Sequence, residues 1–131
     1  MSLYKEILLD HFKNPRYQDQ GQIEHPSFIV LEANPLCGDF IQIKGQIIGD
    51  RLVQVVFNGT GCVISQGVAS ILLEKYHNQT IAEILALDHQ DMLDLIGIEL
   101  GPNRIKCALL ALMALQNGIK NCSGMNLGCF N

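Results

Sequence analysis

The run FIQIKGQIIGDRLVQVVFNGTGC, residues 40–62, carries the fold in its alternation. Ile41, Ile43 and Ile47 fall on one side of an extended chain and Gln42, Lys44 and Gln46 on the other, the period of a half-buried strand. Gly49-Asp50 interrupts the pattern with residues suited to a tight reversal, and Val53, Val55 and Phe57 resume it. Residues 40–48 and 51–58 are therefore expected to pair as a hairpin with a core side and a wetter side. Upstream, SFIVLEA (27–33) supplies a third strand-like run. Downstream of NGTG (58–61) the period changes. Ile64, Val68, Ile71 and Leu72 recur at helical spacing to about His77, with Cys62 at or just before the start of that helix.

The flanks read as helices. In SLYKEILLDHFKNP, Tyr4, Ile7, Leu8 and His11 or Phe12 share a face, with Ser2 as a cap and Pro15 as a stop. Residues 16–26 read as a polar connecting loop. Thr80 and Asp88 are candidate caps for the short apolar segments IAEILAL and QDMLDLIGI, and Gly101-Pro102 breaks the chain again. A last helix is expected from near Asn103, with Ile105, Leu109, Leu112, Leu115 or Gln116, and Ile119 on one face. Cys107 sits in its first turns, rotated away from that stripe, and Gly118 erodes the end. The tail NCSGMNLGCFN lacks periodicity, so one domain over 1–131 with a mobile end at 120–131 is expected.

A chain of 131 residues, 48% hydrophobic and 17% charged, can bury a core and is not a disordered polyelectrolyte. A net charge of −4 without clustered Lys and Arg argues against nucleic acid or an anionic membrane as partner. No run approaches the roughly 18 apolar residues of a membrane span, and charges interrupt what would be a leader's apolar region. The cytoplasm is the expected compartment.

Five cysteines are an odd number, and a disulfide framework is not the expected use for them; metal binding or thiol chemistry is. Three sit at element boundaries: Cys37 in the turn NPLCGD before a strand, Cys62 between a glycine-rich turn and a helix, and Cys107 in the opening turns of the last helix. Helix N-termini favour thiolates, and thiolates are soft ligands for zinc and iron. Asp39, two residues after Cys37, would complete a set of four. One oxygen among three sulfurs suits a site that exchanges its contents better than a closed structural site does. Arg104 and Lys106 would offset part of the negative charge. Plainer readings stand beside these: Cys62 as a small core residue, Asp39 as an Asx-turn residue, Gly38 and Asn34-Pro35 as ordinary turn formers, and Lys106 as a solvated charge. No spacing here is a CxxC signature.

YKEILLDHFKNPRY, NPLCGD, GTGCVIS with Ala69-Ser70, and RIKCALLAL occur in this order over about residues 3–119. Together they resemble the IscU/NifU N-terminal family of iron-sulfur cluster assembly proteins. The resemblance implies an α+β fold of the SufE/NifU-like kind, a three-stranded antiparallel sheet with helices packed on one face, in agreement with the periodicities. It implies that Cys37, Asp39, Cys62 and Cys107 hold zinc or a nascent [2Fe-2S] cluster at one exposed end. It implies that Cys37, Cys62 and Cys107 are candidate persulfide acceptors. The implied partners are a pyridoxal-phosphate cysteine desulfurase and apo iron-sulfur proteins. Two departures matter. IscU-type chains have a histidine before the third cysteine and a Leu-Pro-Pro-Val-Lys sequence, where this chain has GPNRIKC, with Lys106 in place of the histidine. RIKC and GCVIS are similar to the SufU-type branch of zinc-dependent sulfurtransferases, yet the stretch from Ile81 to Gly101 is too short for that branch's full insertion. A non-enzymatic scaffold and a sulfurtransferase both remain open. A zinc hydrolase or deaminase is a remote third, since no HxE or HExxH pattern is present. Cys122 and Cys129 fall outside the motifs and are expected as free tail thiols.

Overall fold

In the computed structural model, which describes residues 3–36 and 38–125, the alternation of the quoted stretch becomes a sheet of three antiparallel strands in the order β1-β2-β3. These are β1 (Phe28–Asn34), β2 (Asp39–Ile48) and β3 (Arg51–Thr60). Ile41, Ile43 and Ile47 of β2 are buried, at 0–1% exposure, while Gln42, Lys44 and Gln46 are only half-buried, as the period of two requires. On β3 the expectation fails at one position. The pairing with β2 slips between Gln46 and Ile47, so that Ile47 faces Leu52 and Gln46 faces Gln54, leaving Val53 unpaired. This bulge puts Leu52 on the core side where Val53 was expected, together with Val55 and Phe57.

Helices α1 (Leu3–Lys13), α2 (Val63–Tyr76), α3 (Ile81–Leu85), α4 (His89–Ile96) and α5 (Pro102–Met125) complete the fold. Thr80 and Asp88 cap α3 and α4, the latter through a capping box with Asp91. Helices α2 and α5 lie on the inward face of the sheet, and their buried residues, Val68, Leu72, Leu112, Leu115 and Ile119 among them, merge with those of the strands into one core. α1 packs on α2 through Leu8 and His11, the buried pair of its face, whereas Tyr4, Ile7 and Phe12 are 37–51% exposed.

α5 departs most from its expectation. It is buried nearly all round from Cys107 to Leu115, Met113 excepted, because it is packed by β1 and β2 as well as by α2, α3 and α4. Cys107, expected on the open side, is 8% exposed. Gly118 does not end the helix. A Cβ there would lie 2.5 Å from the Phe28 ring, so the glycine seats that aromatic ring, and tertiary packing overrides its poor propensity. The helix continues through Met125, across the first part of the expected tail. Cys122, one turn past Ile119, is 2% exposed in the core and disulfide-bonded; it is not the free thiol expected. Ser2 and Cys129 lie outside the described residues as well.

The loop at 16–26 is tied to the sheet. Phe57 N–H donates to the Tyr17 carbonyl and Asp19 N–H to the Phe57 carbonyl, covering the outer edge of β3, and Lys44 Nζ meets Asp19 Oδ2 at 2.9 Å. Among the described residues, no helix is long and apolar enough to cross a membrane.

Candidate metal centre

NPLCGD forms the β1–β2 connection. Asn34 and Asp39 are the last pair of the ladder, and Gly38 closes the loop between them with φ +76°, its N–H donating to the Asn34 carbonyl at 2.9 Å. That dihedral is the reason for glycine at 38, since nothing lies within 4 Å of where a Cβ would be. Asp39 continues the inward-facing series of Ile41 and Ile43, so its carboxylate is carried to the end of the core and is 5% exposed.

Cys62 is the N-cap of α2, and its Sγ accepts the Ser65 N–H at 3.5 Å where a serine or aspartate usually stands. Its own N–H donates to Asp39 Oδ2 at 3.3 Å. Ser65, fully buried, donates its hydroxyl to the Cys62 carbonyl, and Gln66 Nε2 donates to Ser65 Oγ and to the Phe40 carbonyl, fastening the start of α2 to the start of β2. Gly61 leaves the space. A Cβ there would stand 2.6 Å from Asp39 Cγ and 2.6 Å from Ser65 Oγ.

Cys107 enters from the second turn of α5, beyond the first turn where a helix terminus acts on a charge. Asn34 Nδ2 donates to its sulfur at 3.8 Å. Arg104 and Lys106 are exposed, and with Asn34, Leu36 and Asn103 they line a cavity of about 360 Å³ against Cys107.

The three elements converge. Asp39, Cys62 and Cys107 are the one group of His, Cys, Asp and Glu among the described residues whose donor atoms approach as metal ligands do, all within 4.8 Å of one another. Two thiols around tetrahedral zinc stand about 3.8 Å apart. A shift on the order of 1 Å, within reach of side-chain rotation, would therefore bring these donors to coordination distance. The donor chemistry and the cradle at Gly61 fit a zinc ion or an iron-sulfur unit. Cys37, expected as the fourth ligand, lies outside the described residues. Sequence reading missed Asn34, Gly61, Ser65 and Gln66. Asn34 carried a signal with Pro35 as a turn, and Gly61 and Ser65 lay inside the GTGCVIS motif without a role of their own.

The model of the NifU-like N-terminal domain matches residues 3–127. The chain belongs to that family. Among curated relatives it is 32% identical to the zinc-dependent sulfurtransferase SufU of Bacillus subtilis (strain 168), with 95% of both chains covered. It is 34% identical to the iron-sulfur cluster assembly scaffold protein IscU of Aquifex aeolicus (strain VF5), over 90% of this chain and 74% of that one. The N-terminal part of a nitrogen-fixing NifU-like protein from Brucella abortus superposes with a TM-score of 0.75 at 16% identity, covering 93% of this chain and 95% of that one, which establishes the shared fold. As a NifU-like domain, the chain carries its candidate ligands on the inward end of the sheet and on the two helices that cover it.

Proposed function

We propose that this chain accepts sulfur from a cysteine desulfurase and serves as a scaffold on which a [2Fe-2S] cluster is built and passed to apo iron-sulfur proteins. The observation that carries this reading is the convergence of two thiols and a carboxylate from three separate elements within 4.8 Å. It is supported by a family whose curated members include chains named as cluster assembly scaffolds. Cys37, Asp39, Cys62 and Cys107 are the proposed ligand set, with the cluster as cargo.

Sulfur transfer asks little of the protein beyond a presented thiolate. The thiolate of Cys37, Cys62 or Cys107 attacks the outer sulfur of the desulfurase persulfide. One S–S bond forms, the donor's S–S bond breaks, and the donor cysteine leaves as thiolate, so the exchange is redox-neutral. Cys62 is exposed and Cys107 buried, which makes the two thiols unequal in reach. The Asp39 oxygen is a harder and weaker partner for clustered iron than sulfur, and it keeps the cargo transferable. A zinc ion held by the same residues would supply positive charge that keeps the thiols deprotonated.

A second reading, a zinc-dependent sulfurtransferase that activates its desulfurase, rests on the end-to-end alignment with SufU and on Lys106 directly before Cys107. Anaerobic incubation with desulfurase, ferrous iron, cysteine and an excess of a thiol reductant that brings persulfide sulfur to sulfide, with metal analysis before and after, separates the two. A visible cluster that moves to apo-ferredoxin supports the scaffold. One retained zinc per chain, faster desulfurase turnover and no cluster support the sulfurtransferase. Neither outcome rejects both.

A further inference from the structure

Asn34 is the last residue of β1 and 9% exposed, and its side-chain amide makes two contacts of opposite polarity. On one side it meets the N–H of Leu36 at 3.1 Å. A backbone N–H can only donate, so the atom facing it is the oxygen, and the orientation of the amide follows. The NH2 group is then the part that faces Cys107 Sγ at 3.8 Å, across 73 residues of sequence. The main-chain carbonyl of the same residue accepts from Gly38 at 2.9 Å. One asparagine therefore closes the 35–38 loop from both of its ends and grips a sulfur on α5.

Resting on the metal-site reading above, we infer that Asn34 is a positioning residue for Cys107: its amide orients the sulfur toward Asp39 and Cys62 and draws electron density from it by an N–H···S hydrogen bond. A hydrogen bond to a thiolate lowers the energy of the sulfur lone pairs and so raises the energy of the sulfur-to-metal charge-transfer transition, while a sulfur already held in place meets a metal without having to be ordered first. Such outer partners typically change metal affinity by about 10–100-fold. The residue type is specific. Aspartate at 34 would keep the acceptor for Leu36 but replace the donor with a negative oxygen beside a sulfur ligand. Serine would keep an acceptor for Leu36 yet be too short to reach Cys107.

The test is anaerobic titration of the full chain with Co2+ alone, reading affinity and the near-ultraviolet thiolate-to-cobalt charge-transfer band in wild type, Asn34→Asp and Asn34→Ser. The expected result is a Co2+ affinity lower by about tenfold or more, with the band moved to lower energy in both variants, while the metal-free proteins keep the wild-type far-ultraviolet circular dichroism. A merely structural residue would not move the band energy of the metal that still binds. Wild-type affinity and band energy in a folded variant overturn the inference and leave the metal site standing. If Asn34→Asp does not fold, Asn34→Ser decides; if neither folds, Asn34 is a folding residue and the inference is overturned. A wild-type chain without a thiolate band overturns the metal-site reading, and this inference with it.

Discussion

The Asp39 carboxylate accepts the backbone N–H of Cys62 at 3.3 Å, so a residue at the start of β2 and the N-cap of α2 are oriented by one another. Two of the three converging donors are thereby set before any metal arrives, and an ordered donor set spends less of its binding free energy on ordering side chains. The same contact places a carboxylate at the N-terminus of α2, where the helix dipole favours negative charge.

Asp39→Ala removes the single oxygen among the proposed ligands. Release of an assembled cluster to apo-ferredoxin is expected to slow severalfold, because the oxygen that an incoming thiolate displaces most readily is gone and only sulfur ligands are left to exchange. Transfer kinetics followed by visible circular dichroism check this. An unchanged rate would remove lability from the role of Asp39.

Gly61→Ala tests the cradle. The new Cβ would meet Asp39 Cγ and Ser65 Oγ at 2.6 Å, and both belong to the network that fastens α2 to β2. Overpacking of this kind costs about 1–3 kcal/mol. Zinc affinity should fall along with stability, as measured by urea unfolding and competition with a chromophoric chelator.

Gly118→Ala sets helix propensity against packing. Alanine favours a helix interior by about 1 kcal/mol over glycine. Here, however, the Cβ would press on a Phe28 ring that also lies over Gly45, its partner across the sheet. With the ring held from both sides, net destabilisation is expected, about 1–3 kcal/mol of overpacking outweighing the propensity gain. A raised thermal midpoint would mean that the ring moves freely.

His11 makes stability depend on pH. Its Nδ1 lies 2.7 Å from Ser70 Oγ, which also accepts the Arg16 N–H, and Nε2 lies 3.6 Å from Glu74. Burial lowers its pKa, and the Arg16 charge adds to this against the opposing pull of Glu74 and Asp10. A lowered pKa in the fold means that the unfolded chain takes up the proton first. The contribution of His11 is thus whole above the ordinary histidine value, about 6.5, and is lost as pH falls below it, at no more than about 1.4 kcal/mol per pH unit. The urea midpoint should drop between pH 7.5 and 5.5, and His11→Gln should flatten part of that slope.

Much of this architecture was legible because it is periodic. Ile41, Ile43 and Ile47 announce the core face of β2, and Thr80 and Asp88 announce the helices that they cap. What escaped is non-local. The bulge that exchanges Val53 for Leu52 depends on strand pairing, the persistence of α5 past Gly118 depends on Phe28, and the burial of Cys107 and Cys122 depends on how many elements surround one helix. At the site, Asp39 and the cysteines stood out by residue type. The supporting residues Gly61, Ser65 and Gln66 did not, because their roles are distances between segments rather than patterns within one.

The central claim, that Cys37, Asp39, Cys62 and Cys107 act as one site, is tested most directly by zinc stoichiometry. Wild type and the variants Cys37→Ser, Asp39→Ala, Cys62→Ser and Cys107→Ser are each loaded anaerobically, passed over a competing chelator and assayed for retained metal. One zinc per wild-type chain is expected, with loss from each cysteine variant and weakened retention in Asp39→Ala. Full retention of one zinc in any of the three cysteine variants would contradict the four-residue site.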